Sequence, residues 1–275
     1  MREHVIDGMR YLAAGAGWPV VLIHAFPLSA EMWRPQLARV PDGWRFIAPE
    51  LSGLAPSLPP EDGGHRISHN SPSPPSGQRV TMVDYARGIV RLLDRLEIDQ
   101  AIIGGLSMGG YVTFALYRLA PERFTGIILA DTRPGADSPD GRAARAQMRE
   151  LLAAHGPAAI ADQMLPKLLS PDADTDLVAG VRRMIEDVPP DAMDSALAAM
   201  MERPDSTPDL PRMSCPTIVI VGEHDQVTPV AEAERMQAKM PRSRLTIIPG
   251  AAHLANVERP NEFAQALHDF LVAPM

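Results

Sequence analysis

The chain has 275 residues, of which 45% are hydrophobic and 22% are charged, the composition of a globular protein that can bury a large core. Its formal net charge of -8 argues against a nucleic-acid-binding protein, because neutralising phosphates requires a basic face. One cysteine, no apolar run near the roughly 18 residues of a membrane span, and no apolar segment at the start indicate a cytoplasmic protein without disulfides.

The predicted strands begin with a hairpin over residues 5–12, where Asp7-Gly8 suits a two-residue turn that needs positive φ. After it come short, continuously apolar runs, which are typical of strands buried on both faces of a parallel sheet. The six runs lie at residues 19–24, 45–49, 101–104, 126–130, 217–221 and 245–248.

Helical spacing of apolar residues predicts helices between these runs. The first covers residues 82–96, with Thr81 as its cap, and the others cover residues 111–119, 231–240 and 261–271. Because strands alternate with helices, we expect an α/β protein with a mostly parallel sheet and helices on both faces.

Two segments interrupt this alternation. Residues 56–79 are rich in Pro, Ser, Gly and His, which predicts a long mobile loop. Residues 134–211 are helical in character, for example at 142–154 and 191–201, and contain no convincing strand. We expect them to form an inserted helical cap over the carboxyl edge of the sheet. The core domain then consists of residues 1–133 and 212–275.

A serine lies at a predicted strand-to-helix turn, in Gly105-Leu106-Ser107-Met108-Gly109-Gly110. Such a turn forces the serine into strained backbone angles and requires small neighbours, so that adjacent chain can pass close by. The hydroxyl then projects from the sheet, with a helix N-terminus behind it that favours developing negative charge. The pattern predicts that Ser107 is a nucleophile rather than an incidental residue of a glycine-rich turn.

A serine nucleophile needs a base within hydrogen-bonding distance, and His253 is the best placed of the eight histidines. It lies in the loop between the last predicted strand and the last helix. His24 ends an early strand, where we expect it to bond the loop backbone. The others lie in the predicted mobile loop (His65, His69), next to the aspartate considered below (His224), or away from the sheet edge (His4, His155, His268).

The base in turn needs an acid that fixes its tautomer. Asp225 is our choice, because it follows the predicted strand at residues 217–221. Asp131 follows the strand at residues 126–130 and remains an alternative. Glu223 also competes, although we expect its side chain to point elsewhere and to be exposed.

The oxyanion formed during acyl transfer needs two N–H donors. The N–H of Met108, the residue after the nucleophile, is one. The second must come from the early strand-helix loop at His24-Ala25-Phe26-Pro27, and we choose Phe26. No histidine, cysteine or carboxylate spacing indicates a metal site, and no dinucleotide fingerprint is present, so we expect neither metal nor cofactor.

Together these motifs resemble the α/β-hydrolase superfamily over residues 19–271. The order Ser107, Asp225, His253 is the order of that superfamily. The narrower resemblance is to small bacterial carboxylesterases and enol-lactonase-like hydrolases. It rests on residues 24–29, 105–111 and 253–260. The sequence departs from the family at Ala25, where glycine is usual, and over residues 50–57, where a glycine is lost and a proline gained.

The resemblance implies a serine hydrolase that cleaves a small-molecule carboxylic ester or lactone through an acyl-enzyme. A metal-free perhydrolase or haloperoxidase, in which hydrogen peroxide replaces water, is the first alternative. A non-catalytic binding protein on the same fold is the second, although such proteins often lose a triad member. The sequence leaves the natural substrate and the oligomeric state open.

Overall fold

The computed structural model describes residues 1–51, 54 and 80–272. It contains one eight-stranded sheet, whose strands are β1 (Arg2–Ile6), β2 (Met9–Gly15), β3 (Trp18–Ile23), β4 (Trp44–Pro49), β5 (Ala101–Leu106), β6 (Phe124–Ala130), β7 (Thr217–Gly222) and β8 (Ser243–Ile248). Their order across the sheet is β1-β2-β4-β3-β5-β6-β7-β8. The pairs β1–β2 and β2–β4 are antiparallel, and all others are parallel. This confirms the predicted α/β class.

The opening hairpin is confirmed in detail. Asp7 and Gly8 connect β1 to β2 with φ angles of 48° and 78°, the two positive values that a tight hairpin turn requires. The hairpin extends the parallel sheet, because β2 pairs with β4.

The helices of the described residues are α1 (Arg34–Leu37), α2 (Met82–Arg95), α3 (Met108–Leu119), α4 (Pro139–Leu168), α5 (Thr175–Glu186), α6 (Pro190–Met201), α7 (Val230–Gln237), α8 (Ala255–Glu258) and α9 (Pro260–Val272). Thr81 caps α2 as predicted. Its hydroxyl accepts the Asp84 N–H at 3.2 Å, and the Asp84 carboxylate accepts the Thr81 N–H at 3.0 Å. None of the helices described is long and apolar enough to cross a bilayer.

The core lies along the central strands, where the apolar runs are almost wholly inaccessible. The run at residues 245–248 departs from the prediction, because β8 is a strand but is not buried on both faces. Among the described residues it is the last strand of the sheet and pairs with β7 alone, and Ile247 is 41% exposed.

Along the chain, helices α4, α5 and α6 lie between β6 and β7, and we refer to residues 139–201 as the helical insertion. Gly156 interrupts α4 with a φ of 74°. The end of α4 meets the carboxyl edge of the sheet, where the Leu254 N–H donates to Leu168 O at 3.0 Å. The division into a core and a cap at residues 134–211 stays a prediction. The predicted loop at residues 56–79 lies outside the described residues.

Candidate active site

Ser107 is the single residue between β5 and α3. Its φ of 55° and ψ of -111° lie in a region that side-chain-bearing residues rarely occupy. The Ser107 N–H donates to Ala130 O at 2.9 Å, and Ser107 O accepts the Thr132 hydroxyl at 2.8 Å. These bonds hold the strained backbone. The hydroxyl caps no N–H of α3, unlike an ordinary N-cap serine, so it is free for other chemistry.

The glycines around Ser107 are required by close backbone contacts. A Cβ on Gly105 would lie 2.5 Å from Ile23 O, and a Cβ on Gly109 would also collide with that oxygen. Gly110 faces the side chain of Thr132 in the same way. The strand β3, the turn and α3 therefore approach one another as the sequence motif predicts.

His253 and Asp225 are in direct contact. The distance from His253 Nδ1 to Asp225 Oδ2 is 2.8 Å, and the two side chains are almost completely buried. Since the imidazole nitrogen meets a carboxylate that can only accept, Nδ1 carries the proton and Nε2 is the nitrogen with a free lone pair.

The loops that carry these two residues are joined by backbone hydrogen bonds. The Glu223 N–H donates to Ile248 O at 3.0 Å, and the His224 N–H donates to Ala251 O at 2.8 Å. At the end of β7, a Cβ on Gly222 would collide with backbone carbonyl oxygens of the second loop. The parallel pairing of β7 with β8 thus continues beyond the strands and brings Asp225 to His253.

Asp225 is placed to carry a negative charge. Its Oδ1 accepts the N–H groups of Val227 and Thr228 at 2.7 and 2.9 Å, and its Oδ2 accepts the Thr228 hydroxyl at 2.7 Å. Burial alone raises the pKa of this carboxyl, but His253 and the Thr228 donors bring the pKa below its usual value. Sequence reasoning missed Thr228, although a threonine three residues after an aspartate is a spacing at which such bonds form.

The two competing acids have other contacts. Glu223 is exposed, and its Oε2 accepts the Gly250 N–H at 2.9 Å. Asp131 is fully buried with a φ of 43°, and its Oδ1 accepts the Gly222 N–H at 2.8 Å. Burial and the neighbouring charge of Asp225 raise the pKa of Asp131 well above its usual value. Asp131 thus lies beside Asp225, and of the two it is the carboxyl whose ionisation is disfavoured.

The predicted oxyanion donors lie at the carboxyl ends of β3 and β5. Met108 is the first residue of α3, and the first N–H groups of a helix lack partners within it. Phe26 lies in the loop after β3, which is held by bonds from the Leu28 N–H to Ala25 O at 2.9 Å and from the Ala30 N–H to Glu50 Oε1 at 2.9 Å. Neither bond uses the N–H of Phe26.

His24 has the structural contacts that we expected. Its Nδ1 donates to Ala25 O at 3.0 Å, and its Nε2 accepts the Leu51 N–H at 3.0 Å. Sequence reasoning missed the pair behind it, in which Arg10 donates to Glu50 Oε1 at 2.8 Å within the core. The two residues are forty positions apart, and no pattern in the sequence pointed to Arg10 as the partner of Glu50.

The hydrogen bonds of the described side chains join His253 to Asp225 but include none from the Ser107 hydroxyl. Hydrogen bonds of catalytic groups are often longer before substrate binds. The roles of Ser107, His253, Asp225, Phe26 and Met108 therefore remain predictions. Within residues 1–51, 54 and 80–272, no group of three or more His, Cys, Asp or Glu side chains is arranged to hold a metal ion.

Comparison with known proteins gives relatives along most of the chain. The chain is 28% identical to 3-oxoadipate enol-lactonase 2 of Acinetobacter baylyi over 251 residues, which is 90% of this chain and 86% of that protein. A thermophilic esterase from Thermogutta terrifontis is 34% identical, with a TM-score of 0.85 over 96% of this chain and 92% of that one.

The fold is also shared with the enol-lactonase of Burkholderia xenovorans, at 24% identity and a TM-score of 0.82 over 98% of this chain and 99% of that one. The family model described as "Alpha/beta hydrolase family" matches residues 20–266. With this match, with relatives that are hydrolases, and with an eight-stranded sheet of the same fold, the chain belongs to the alpha/beta hydrolase family.

Proposed function

We propose that this hydrolase is a serine enzyme that cleaves a carboxylic ester or lactone through an acyl-enzyme. The observation that carries the proposal is the buried hydrogen bond between His253 and Asp225, at the carboxyl edge of the sheet, where Ser107 precedes α3 in a strained conformation. The resemblance to an enol-lactonase and to an esterase supports the substrate class.

In the proposed reaction, Ser107 Oγ attacks the carbonyl carbon while His253 Nε2 takes the hydroxyl proton. Asp225 stabilises the imidazolium that forms, and the N–H groups of Met108 and Phe26 donate to the oxyanion. His253 then protonates the leaving alcohol oxygen. Water, activated by the same imidazole, hydrolyses the acyl-enzyme and releases the acid.

The test is a panel of p-nitrophenyl esters of graded acyl length together with simple lactones, assayed with the wild-type enzyme and with Ser107→Ala. We include esters with a free carboxylate, because the Thermogutta terrifontis structure has malate bound. We expect turnover of esters or lactones with small apolar acyl groups. Ser107→Ala should keep the fold and lose about 10⁴- to 10⁶-fold in kcat. Activity within about tenfold of wild type would reject the nucleophile.

A second candidate function uses the same residues with hydrogen peroxide in place of water. It is favoured by the 26% identity to a putative non-heme chloroperoxidase of Synechocystis over 279 residues, which is 95% of this chain and 94% of that protein. Peroxide-dependent halogenation that exceeds ester hydrolysis by the same preparation would favour this function. Its absence, with ester turnover present, would favour the hydrolase.

A further inference from the structure

Glu258 joins the loop of the proposed base to the part of the helical insertion that directly follows α4. Its Oε2 accepts the N–H of Ala252, the residue before His253, at 2.6 Å. Its Oε1 accepts the N–H of Ser170, which follows α4, at 2.7 Å. One carboxylate thus binds two chain segments that are more than eighty residues apart in sequence.

A second bond joins the same two segments. The N–H of Leu254, the residue after His253, donates to Leu168 O at 3.0 Å, and both leucines are fully buried. His253 is therefore flanked on each side by a residue that is tied to the end of α4: Ala252 through Glu258, and Leu254 directly. Hydrogen bonds excluded from water hold their geometry more strongly than exposed ones.

The contact requires a carboxylate in particular. Two N–H donors converge on the Glu258 side chain, and a carboxylate offers an acceptor oxygen to each of them. A glutamine has the same shape but only one acceptor oxygen, and its amide group would face one N–H with another. Bonds from N–H groups to an ionised carboxylate are also about twice as strong as neutral ones.

We propose that Glu258 is a positioning residue that locks the His253 loop to the end of α4, so that the base and the helical insertion are held as one unit. The proposal rests on the proposed function, in which His253 is the base. Glu258 acts through the backbone on either side of the imidazole, and a shift of about 1 Å at a base can lower a rate by about a hundredfold.

The experiment compares Glu258→Gln with the control Glu223→Gln. Glu223 also binds the His253 loop, through the Gly250 N–H, but it is exposed, and its hydrogen bond and ion pair among the described residues are to Gly250 and His224. We expect Glu258→Gln to lower kcat by about 10- to 100-fold with little change in KM, and to slow fluorophosphonate labelling by a similar factor. Glu223→Gln should stay within about twofold of wild type.

A second variant removes the other end of the contact. Ser170→Pro lacks the Ser170 N–H, and Leu169 before it has the extended angles, φ -122° and ψ 151°, that a residue preceding proline adopts. If Glu258→Gln does not fold, Ser170→Pro tests the same contact. If both fold, the double variant should lose no more activity than Glu258→Gln alone, because the two changes remove one shared interaction.

Hydrogen exchange separates this proposal from the proposed function, since it does not depend on activity. In Glu258→Gln, the backbone amides at residues 168–172 and 250–255 should exchange faster together. Unchanged kcat, faster exchange in only one segment, or strictly additive losses in the double variant would overturn the proposal. If the wild-type protein neither reacts with fluorophosphonate nor hydrolyses esters, the proposed function fails, and the exchange data alone decide whether Glu258 joins the segments.

Discussion

Two buried aspartates at the carboxyl edge of the sheet have pKa values shifted in opposite directions. Asp225 receives donors from Val227, Thr228 and His253, and its pKa is lowered even though burial opposes this. Asp131 has one N–H donor, from Gly222, and its pKa is raised by burial and by the charge of Asp225. Two adjacent buried carboxyls cannot both ionise cheaply, and the opposite shifts favour ionisation of Asp225 over that of Asp131.

This assignment gives opposite expectations for two matched substitutions. In the proposed mechanism, Asp225→Asn removes the charge that stabilises the imidazolium and permits the wrong tautomer of His253, so kcat should fall by about 10²- to 10⁴-fold. Asp131→Asn replaces a carboxyl whose ionisation is disfavoured by a neutral amide of nearly the same shape, and should change kcat only mildly. Steady-state kinetics of both variants make the comparison. If Asp131→Asn loses kcat severely while Asp225→Asn keeps near-normal rates, the acid is Asp131, at the end of β6.

The pH dependence follows from the same charges. Only a neutral imidazole can accept the Ser107 proton, so kcat/KM should rise as the pH increases from about 5 to about 8. Asp225 should not add a step within this range, because its pKa is lowered and it is already ionised. A flat kcat/KM profile over this range would exclude histidine as the base.

At the scale of single elements, the loop after β3 depends on a histidine that must stay neutral. His24 is fully buried, donates to Ala25 O and accepts from the Leu51 N–H, so it links the carboxyl ends of β3 and β4. Burial lowers the pKa of His24 to about 4, although the bond to Ala25 O opposes this shift. The loop that contains Phe26 thus carries a pH-dependent stability.

The direction of this pH dependence follows from the difference between the pKa of His24 in the folded chain and in the unfolded chain. Below the ordinary histidine pKa of about 6.5, the unfolded chain binds a proton that the folded chain takes up only near pH 4. The stabilisation that neutral His24 provides is complete above about pH 6.5 and is lost as the pH falls toward 4. When the pH is lowered from 7 to 5, the free energy of unfolding measured with denaturant should fall by about 2 kcal/mol more in the wild type than in His24→Gln. Parallel losses in the two proteins would contradict a buried neutral His24.

The elements that sequence reasoning predicted best are those whose signal is local. Each continuously apolar run became a strand, and Thr81 with Asp84 marked the start of α2. The start of α3 was placed three residues late, because Gly109 and Gly110 give no apolar helical pattern. The partial exposure of β8 was missed, since a run of apolar residues does not reveal which strand lies at the edge.

In the candidate site, too, the features with a local sequence signal were predicted and the contacts between distant segments were not. The positions of Ser107, Asp225 and His253 after strand ends follow from chain order, and the structure brings two of them into hydrogen-bonding contact. The contacts of Arg10 with Glu50 and of Glu258 with Ser170 join distant segments. Such contacts depend on how the layers pack, so no local pattern predicts them.

At the scale of the whole molecule, the sheet sets the positions of the site residues through its parallel order. The ends of β3, β5, β6 and β7 supply Phe26, Ser107, Asp131 and Asp225, and β8 leads to His253. The helical insertion lies between β6 and β7 in the chain, and the end of α4 contacts the His253 loop. Strands, loops and insertion therefore meet at one edge, where ligands bind in open parallel sheets.

The most direct test of the central claim is the site of covalent labelling by a fluorophosphonate, identified by peptide mass spectrometry. Wild-type protein should gain one adduct, on Ser107, and should lose ester hydrolysis in step with labelling. Ser107→Ala should gain none, and His253→Gln should react at least about a hundredfold more slowly, because the hydroxyl lacks its base. Labelling of Ser107→Ala at the wild-type rate, or an adduct on another serine, would contradict Ser107 as the nucleophile.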